Sequence, residues 1–175
     1  MTPIRHDPTN DDPETECWRF CGALYAAPMI SETVLALQDR FGLAVNILLF
    51  SCWHATFSNG RLGEAALRDL ICATAPWRGG VTAHLREARR ALPKGAPLRP
   101  SLLEAELAAE RIEIAHLATL APPAGEKAAP ATIAATAFQN LKTCLIATGI
   151  PLTEYLHSAL TRLAQTTAAL PSPSD

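Results

Sequence analysis

Aromatic side chains are scarce in this sequence, 6% of 175 residues, and no stretch longer than about four residues carries the period-2 alternation of a half-buried strand. A sheet-built core is therefore excluded. The apolar fraction, 49%, is instead dominated by Ala, the best helix former and a weak strand residue. An excess of one charge is also missing: the net charge is −2, which argues against a general nucleic-acid or membrane-surface binder. No apolar run reaches the roughly 20 residues that cross a bilayer. The chain does not open on the basic, apolar and small-residue segments of a secretion signal. Its five cysteines are an odd number, unsuited to a disulfide framework. The expected location is the cytoplasm, with free thiols. A Gly-rich phosphate loop, HExxH and GxSxG are all lacking, so the motifs assign no catalytic residue, cofactor or metal site.

What is present is one very apolar segment, Leu43 to Phe57, LAVNILLFSCWHATF. A helix hydrophobic on all sides must be sheathed by other helices, and Asn46 and His54 inside this short run make a membrane span untenable. The sequence thus predicts an all-α fold: a single-domain bundle of about seven to eight helices around a central helix near 43–57. Residues 1–13, with Asp7, Asp11, Asp12 and three prolines, read as a flexible acidic tail. The helical domain spans 14–170, divided by a Pro/Gly-rich linker into 14–92 and 101–170, and 171–175 form a second flexible tail. Within it, Pro28 ends the first helix, Ser31 caps the second and Gly42 closes it. Pro76 ends the fourth helix, and a separate fifth runs from about Gly79 to Leu92. The long helix near 101–120 places Leu103, Leu107, Ile114 and Leu117 on one side, and the last places Leu152, Leu156, Leu160 and Leu163 inward.

Charge is unevenly spread. Arg78, Arg86, Arg89, Arg90, Lys94 and Arg99 face one acid, Glu87, between Pro76 and Pro100. The long helix that follows carries Glu104, Glu106, Glu110 and Glu113. Two readings follow: the helices pack side by side and neutralise each other, or the basic stretch is a patch awaiting an acidic partner. Trp77, at the element boundary, reads either as a cover over helix ends or as an interface anchor. Cys17 and Cys21 share a stripe with Phe20 and Leu24 and read as small core residues. Two Glu-x-x-His motifs, Glu113–His116 and Glu154–His157, match a di-iron signature. However, Glu154 and His157 lie opposite the leucine face, and helix 131–148 has no carboxylate, so no metal site is assigned.

These residues resemble a proteobacterial family of small all-helical cytosolic proteins known only as a domain of unknown function. The resemblance is carried by Trp18-x-Phe20-x-x-x-Leu24-Tyr25-x-x-Pro28 and Leu37-Gln38-Asp39-x-x-Gly42. It continues through Val45-Asn46-x-Leu48-Leu49, Trp53, Pro76-Trp77-Arg78, Leu85-Arg86 and Arg89-Arg90. Looser echoes follow in Glu106-Leu107, Glu110-Arg111, Glu113 and Asn140-Leu141. Residues 14–92 are then the family-like core. The resemblance implies a bacterial cytosolic protein and brings no reaction or cofactor.

The expected function is that of a non-enzymatic regulatory or adaptor protein binding another protein through Trp77, Arg78, Arg86, Arg89 and Arg90. The alternative is a bundle that holds an apolar small molecule or lipid, with Asn46, Cys52 and His54 as its polar groups. A metal-dependent or other enzyme ranks third. No nucleic acid partner is expected, because few aromatics interleave with the arginines. Asn46 inside the greasiest helix requires a partner, expected as a helix cap or a bond to neighbouring backbone.

Overall fold

Apolar residues on every side of a helix demand neighbours on every side, and α3 (Val45–His54) has them: α1, α2, α6, α7 and α8 all pack against it. All eight residues from Ile47 to His54 are buried, and Leu48, Phe50 and Cys52 have no exposed surface at all. Each such large side chain contributes about 1.5–3 kcal/mol on burial. The computed structural model describes residues 12–123 and 125–171. Eight α-helices occur among them: α1 Pro13–Ala26, α2 Ile30–Phe41, α3, α4 Glu64–Trp77, α5 Ala83–Ala91, α6 Arg99–Leu120, α7 Pro130–Ala147 and α8 Glu154–Ala169. There is no strand among the described residues. A single bridge pairs Phe57 with Lys127. The all-α bundle expected from composition and periodicity is the observed fold. Residues 1–11 of the expected N-terminal tail and 172–175 of the C-terminal one fall outside the described residues; the tail's expected last residue, Pro13, is instead the first residue of α1.

Helix α1 opens with Pro13 at its first position and Glu14 and Glu16 in its first turn, where a missing N–H and negative charge are both suited to a helix start. It buries Cys17, Phe20, Cys21 and Leu24. The start of α2 departs from expectation. Ser31 is not its cap: the helix begins at Ile30, after Met29 in the left-handed conformation with φ 65°. Backbone bonds from Ile30 N–H to Ala27 O and from Thr33 N–H to Met29 O fix this entry, and the Thr33 hydroxyl also donates to Met29 O. The backbone turn thus does the work that a side-chain cap would otherwise do. Gly42 ends α2 as expected, at φ 69°.

Pro76 does not end α4. The helix passes through it, continues as a π turn over Arg78–Thr82, and runs on as α5. Cys72, whose carbonyl the proline leaves without its helical donor, is exposed, as is Pro76 itself. The expected separate fourth and fifth helices are one continuous helical stretch from Glu64 to Ala91, interrupted by the π turn.

α7 and α8 form a hairpin, with the Thr153 hydroxyl capping α8 by accepting from Leu156 N–H. Leu156, Leu160 and Leu163 face inward, but Leu152 precedes the helix and is exposed. The loop after α3 is held by buried Asn140 of α7, which accepts from Leu62 N–H at 2.8 Å and donates to Gly60 O and Ser51 O. Gly60 is required there, since a Cβ would sit 2.1 Å from the His54 carbonyl. No single helix among the described residues is long and apolar enough to cross a membrane. α1 and α2 meet that criterion only as a pair bent by 94°.

Candidate functional site

Residues spaced four and three apart share one helix face, which sets Glu106, Glu110 and Glu113 in a row on α6. Two of them are buried: Glu106 is 4% exposed and Glu113 2%. Buried carboxylates need partners, and α5 and the π turn supply them. Arg86 donates through Nε to Glu106 Oε1 and through Nη2 to Glu110 Oε1, both at 2.7 Å. Arg89 Nε donates to Glu106 Oε2 at 2.5 Å. Arg78 Nη1 donates to Glu113 Oε1 at 2.7 Å, and the Asn46 amide donates to Glu113 Oε2 at 2.8 Å. Trp77 is half-buried and its indole N–H donates to the Ala109 carbonyl at 2.9 Å. The helix pair is therefore closed by a row of ion pairs.

The row is electrostatically uneven. Burial acts to raise the Glu106 pKa, but hydrogen bonds from Arg89 and Arg86 and their charges outweigh it, and the carboxyl lies below its ordinary value. At Glu110 burial and the Glu106 charge prevail over Arg86, and the carboxyl is raised. Tyr25 is likewise raised, by burial and then by the Glu110 charge.

Beside this row lies a groove of about 440 Å³ walled by α1, α2, α3, α5 and α6. Trp18, Cys21, Leu49 and Ile114 belong to its apolar lining. Four further apolar residues on it remain part-exposed: Tyr25 37%, Leu35 38%, Leu103 44% and Leu107 44%. Its polar lining comprises Gln38, Asn46, the three arginines of α5, Glu106 and Glu110.

The expected partner-binding residues thus divide. Arg86, Arg89 and Arg90 all reach the groove, but Arg86 and Arg89 are engaged by glutamates. Arg90 is exposed and has no ion-pair partner among the described residues. Arg78 and Trp77 are not in its lining and instead bond to α6, at Glu113 and the Ala109 carbonyl. Of the three polar residues expected to line a pocket, Asn46 does so. It neither caps α3 nor bonds nearby backbone: Ala44 is the cap residue, and the amide is spent on Glu113. Cys52 and His54 lie in the core away from the groove. The two ring nitrogens of His54 face the carbonyls of Gly60 at 3.0 Å and Pro122 at 3.1 Å.

The remaining candidates are structural in their contacts. All five cysteines are free, and all but Cys72 are buried. Burial pushes the Cys52 thiol up to about 12 and Cys144 to about 11, and raises Cys17. No three His, Cys, Asp or Glu among the described residues are grouped to hold a metal ion. Glu113 has both oxygens occupied, and His157 packs edge-on against Phe138.

Sequence reasoning missed two features. One is the burial of Glu106 and Glu113, the first paired with Arg86 and Arg89 and the second with Arg78 and Asn46. The other is that Leu103 and Leu107 point into the groove rather than the core. The helical stripe continues smoothly to buried Ile114 and Leu117, so periodicity alone carries no signal of where cover ends.

No curated protein and no solved structure matches the chain. Residues 16–117 match the family described as "Protein of unknown function (DUF2390)", a segment that contains every residue of the groove and ends before α7. With 102 of its 175 residues inside that match, the chain belongs to the DUF2390 family.

Proposed function

We propose that this protein is a non-enzymatic adaptor that docks a segment of another protein in the groove walled by α1, α2, α3, α5 and α6. The observation that carries the reading is the convergence of Tyr25, Leu35, Leu103 and Leu107, all part-exposed, on one concavity beside Trp18. Contiguous exposed apolar surface marks interaction sites, and aromatic and arginine residues are typical anchors there. The partner segment that fits has an apolar face and a carboxylate for Arg90, the one groove arginine without an ion-pair partner among the described residues. Catalysis is the weaker reading, because Arg86, Arg89 and Glu106 are consumed by each other. Free thiols and the family resemblance support a reducing, bacterial cytosolic setting.

A photo-crosslinking residue placed at Leu107 in the native host tests this. A defined partner should be captured there, lost in Leu103→Glu and weakened in Arg90→Glu, with no capture from a probe at exposed Leu152. Capture indifferent to both variants would overturn the reading.

The groove's volume supports a second one. About 440 Å³ falls in the range of small-molecule sites, roughly 300–1,000 Å³. An apolar small molecule or lipid would then use Asn46 and Arg90 as polar contacts, without Cys52 or His54. Native mass spectrometry of protein purified from its host distinguishes the two: an added mass of a few hundred daltons favours the small ligand, an added polypeptide the adaptor.

A further inference from the structure

A helix that forms one wall of a binding groove is expected to be fixed by its own core contacts. α5 is not: among Ala83–Ala91 no residue is buried. Val81, Leu85 and Leu92 are only half-buried, and the helix packs chiefly on α6 and the π turn. Its attachment is polar. Arg86 and Arg89 grip Glu106 and Glu110. Arg99, from the start of α6, donates to the carbonyls of Arg89 and Leu92 at 2.6 and 2.8 Å, closing the far end.

The near end is built to bend. The π turn Arg78–Thr82 contains Gly79 and Gly80, both exposed, the poorest helix formers after proline. Inside it the buried Thr82 hydroxyl has no hydrogen-bond partner among the described residues, a local defect that opening would relieve by admitting water. The two acids and two arginines of the latch are rehydrated when they separate, so parting them costs little compared with opening a buried core. Regions with few buried apolar contacts open first.

We propose that α5 is a movable wall of the groove: it swings about Gly79–Gly80 when Arg86 and Arg89 release Glu106 and Glu110 and Arg99 lets go of the carbonyls at the far end, and the groove widens as it goes. This holds whatever occupies the groove, and its failure would leave the adaptor reading standing.

Cys21 is a native reporter, because it lies in the groove lining and is 2% exposed. Hydrogen exchange of the full chain should show amides of 83–91 exchanging faster than those of 109–117. In Arg86→Gln/Arg89→Gln, exchange over 83–91 and alkylation of Cys21 by N-ethylmaleimide should rise together by about tenfold. Cys52 and Cys144 should be unchanged. Gly79→Ala/Gly80→Ala, where added methyls meet nothing within 4 Å, should slow both by about fivefold. If the arginine variant does not fold, wild type in about 1 M salt gives the same contrast through screening. The proposal is overturned if 83–91 exchange no faster than 109–117, or if Cys21 fails to follow α5. A rise in which Cys52 and Cys144 share equally, meaning general loosening, overturns it too.

Discussion

Glu106 and Glu110 stand one turn apart on α6 and both accept from Arg86. Replacing each by glutamine is nevertheless expected to have different consequences. Glu106 is almost fully buried and accepts from two guanidiniums. A hydrogen bond to a charged group contributes about 1.5–3 kcal/mol. Each arginine side chain remains about one-fifth exposed, which moves the figure towards the 0–1 kcal/mol of surface pairs. About 1 kcal/mol per contact is the result. Glu106→Gln keeps one acceptor and the shape but loses the charge, so it should cost about 1.5 kcal/mol, lowering Tm by about 3–6 °C in a chain of this length. Glu110 differs because burial and the Glu106 charge already disfavour its ionised form. Glu110→Gln should lie within about 0.5 kcal/mol of wild type, on the stabilising side.

The pH dependence has opposite signs. Glu106, lowered in the folded state, contributes stability that is present above the ordinary value of 4.5 and lost as pH falls through its lower folded value. Glu110, raised, favours the folded state below 4.5, and that contribution is lost as pH rises through its folded value. The deficit of Glu106→Gln should therefore shrink in acid, whereas any gain from Glu110→Gln should be confined to neutral pH. Calorimetry of the two variants at neutral and acidic pH decides it. Equal losses, or a larger loss for Glu110→Gln, would refute the assignment of Glu106 as the hub of the latch.

Three more expectations follow from the core and its polar insertions. Asn46→Leu leaves Glu113 Oε2 buried without its donor and should cost about 2 kcal/mol in urea titration; an unchanged midpoint would remove the structural role of Asn46. Gly60→Ala forces a methyl to 2.1 Å from the His54 carbonyl and should cost about 3 kcal/mol or more; a variant as stable as wild type would show that this loop is free to move. Above about pH 9 the unfolded chain ionises thiols that burial keeps protonated in the folded one. Stability should then fall by up to about 1.4 kcal/mol per pH unit for each buried thiol, and a slope unaltered in Cys52→Ala would contradict it.

What could be read in advance follows the reach of local physics. Hydrophobicity on all sides of 43–57 identified the buried post, whose helix covers Val45–His54, because such a helix has no solvent-tolerant face. Gly42 closed α2 as expected, because a positive φ is a local demand. Ser31 and Pro76 misled for the converse reason. A backbone turn at Met29 already satisfies the start of α2, and α4 continues through Pro76 where Cys72 and Pro76 are both exposed. Both outcomes depend on surroundings that a capping or breaking rule does not contain.

The candidate site divides along the same line. Residue spacing alone determined that Glu106, Glu110 and Glu113 share a face, that basic residues crowd 78–90, and that the chain builds helices. Only the tertiary structure decided that Asn46 of α3 reaches Glu113, sixty-seven positions away. It also decided that Leu103 and Leu107 are left without cover although Ile114 and Leu117 on the same stripe are buried. Periodicity specifies which direction a side chain points along its own helix. Whether another helix stands there depends on how loops and packing bring distant segments together, and that information is spread over the whole chain.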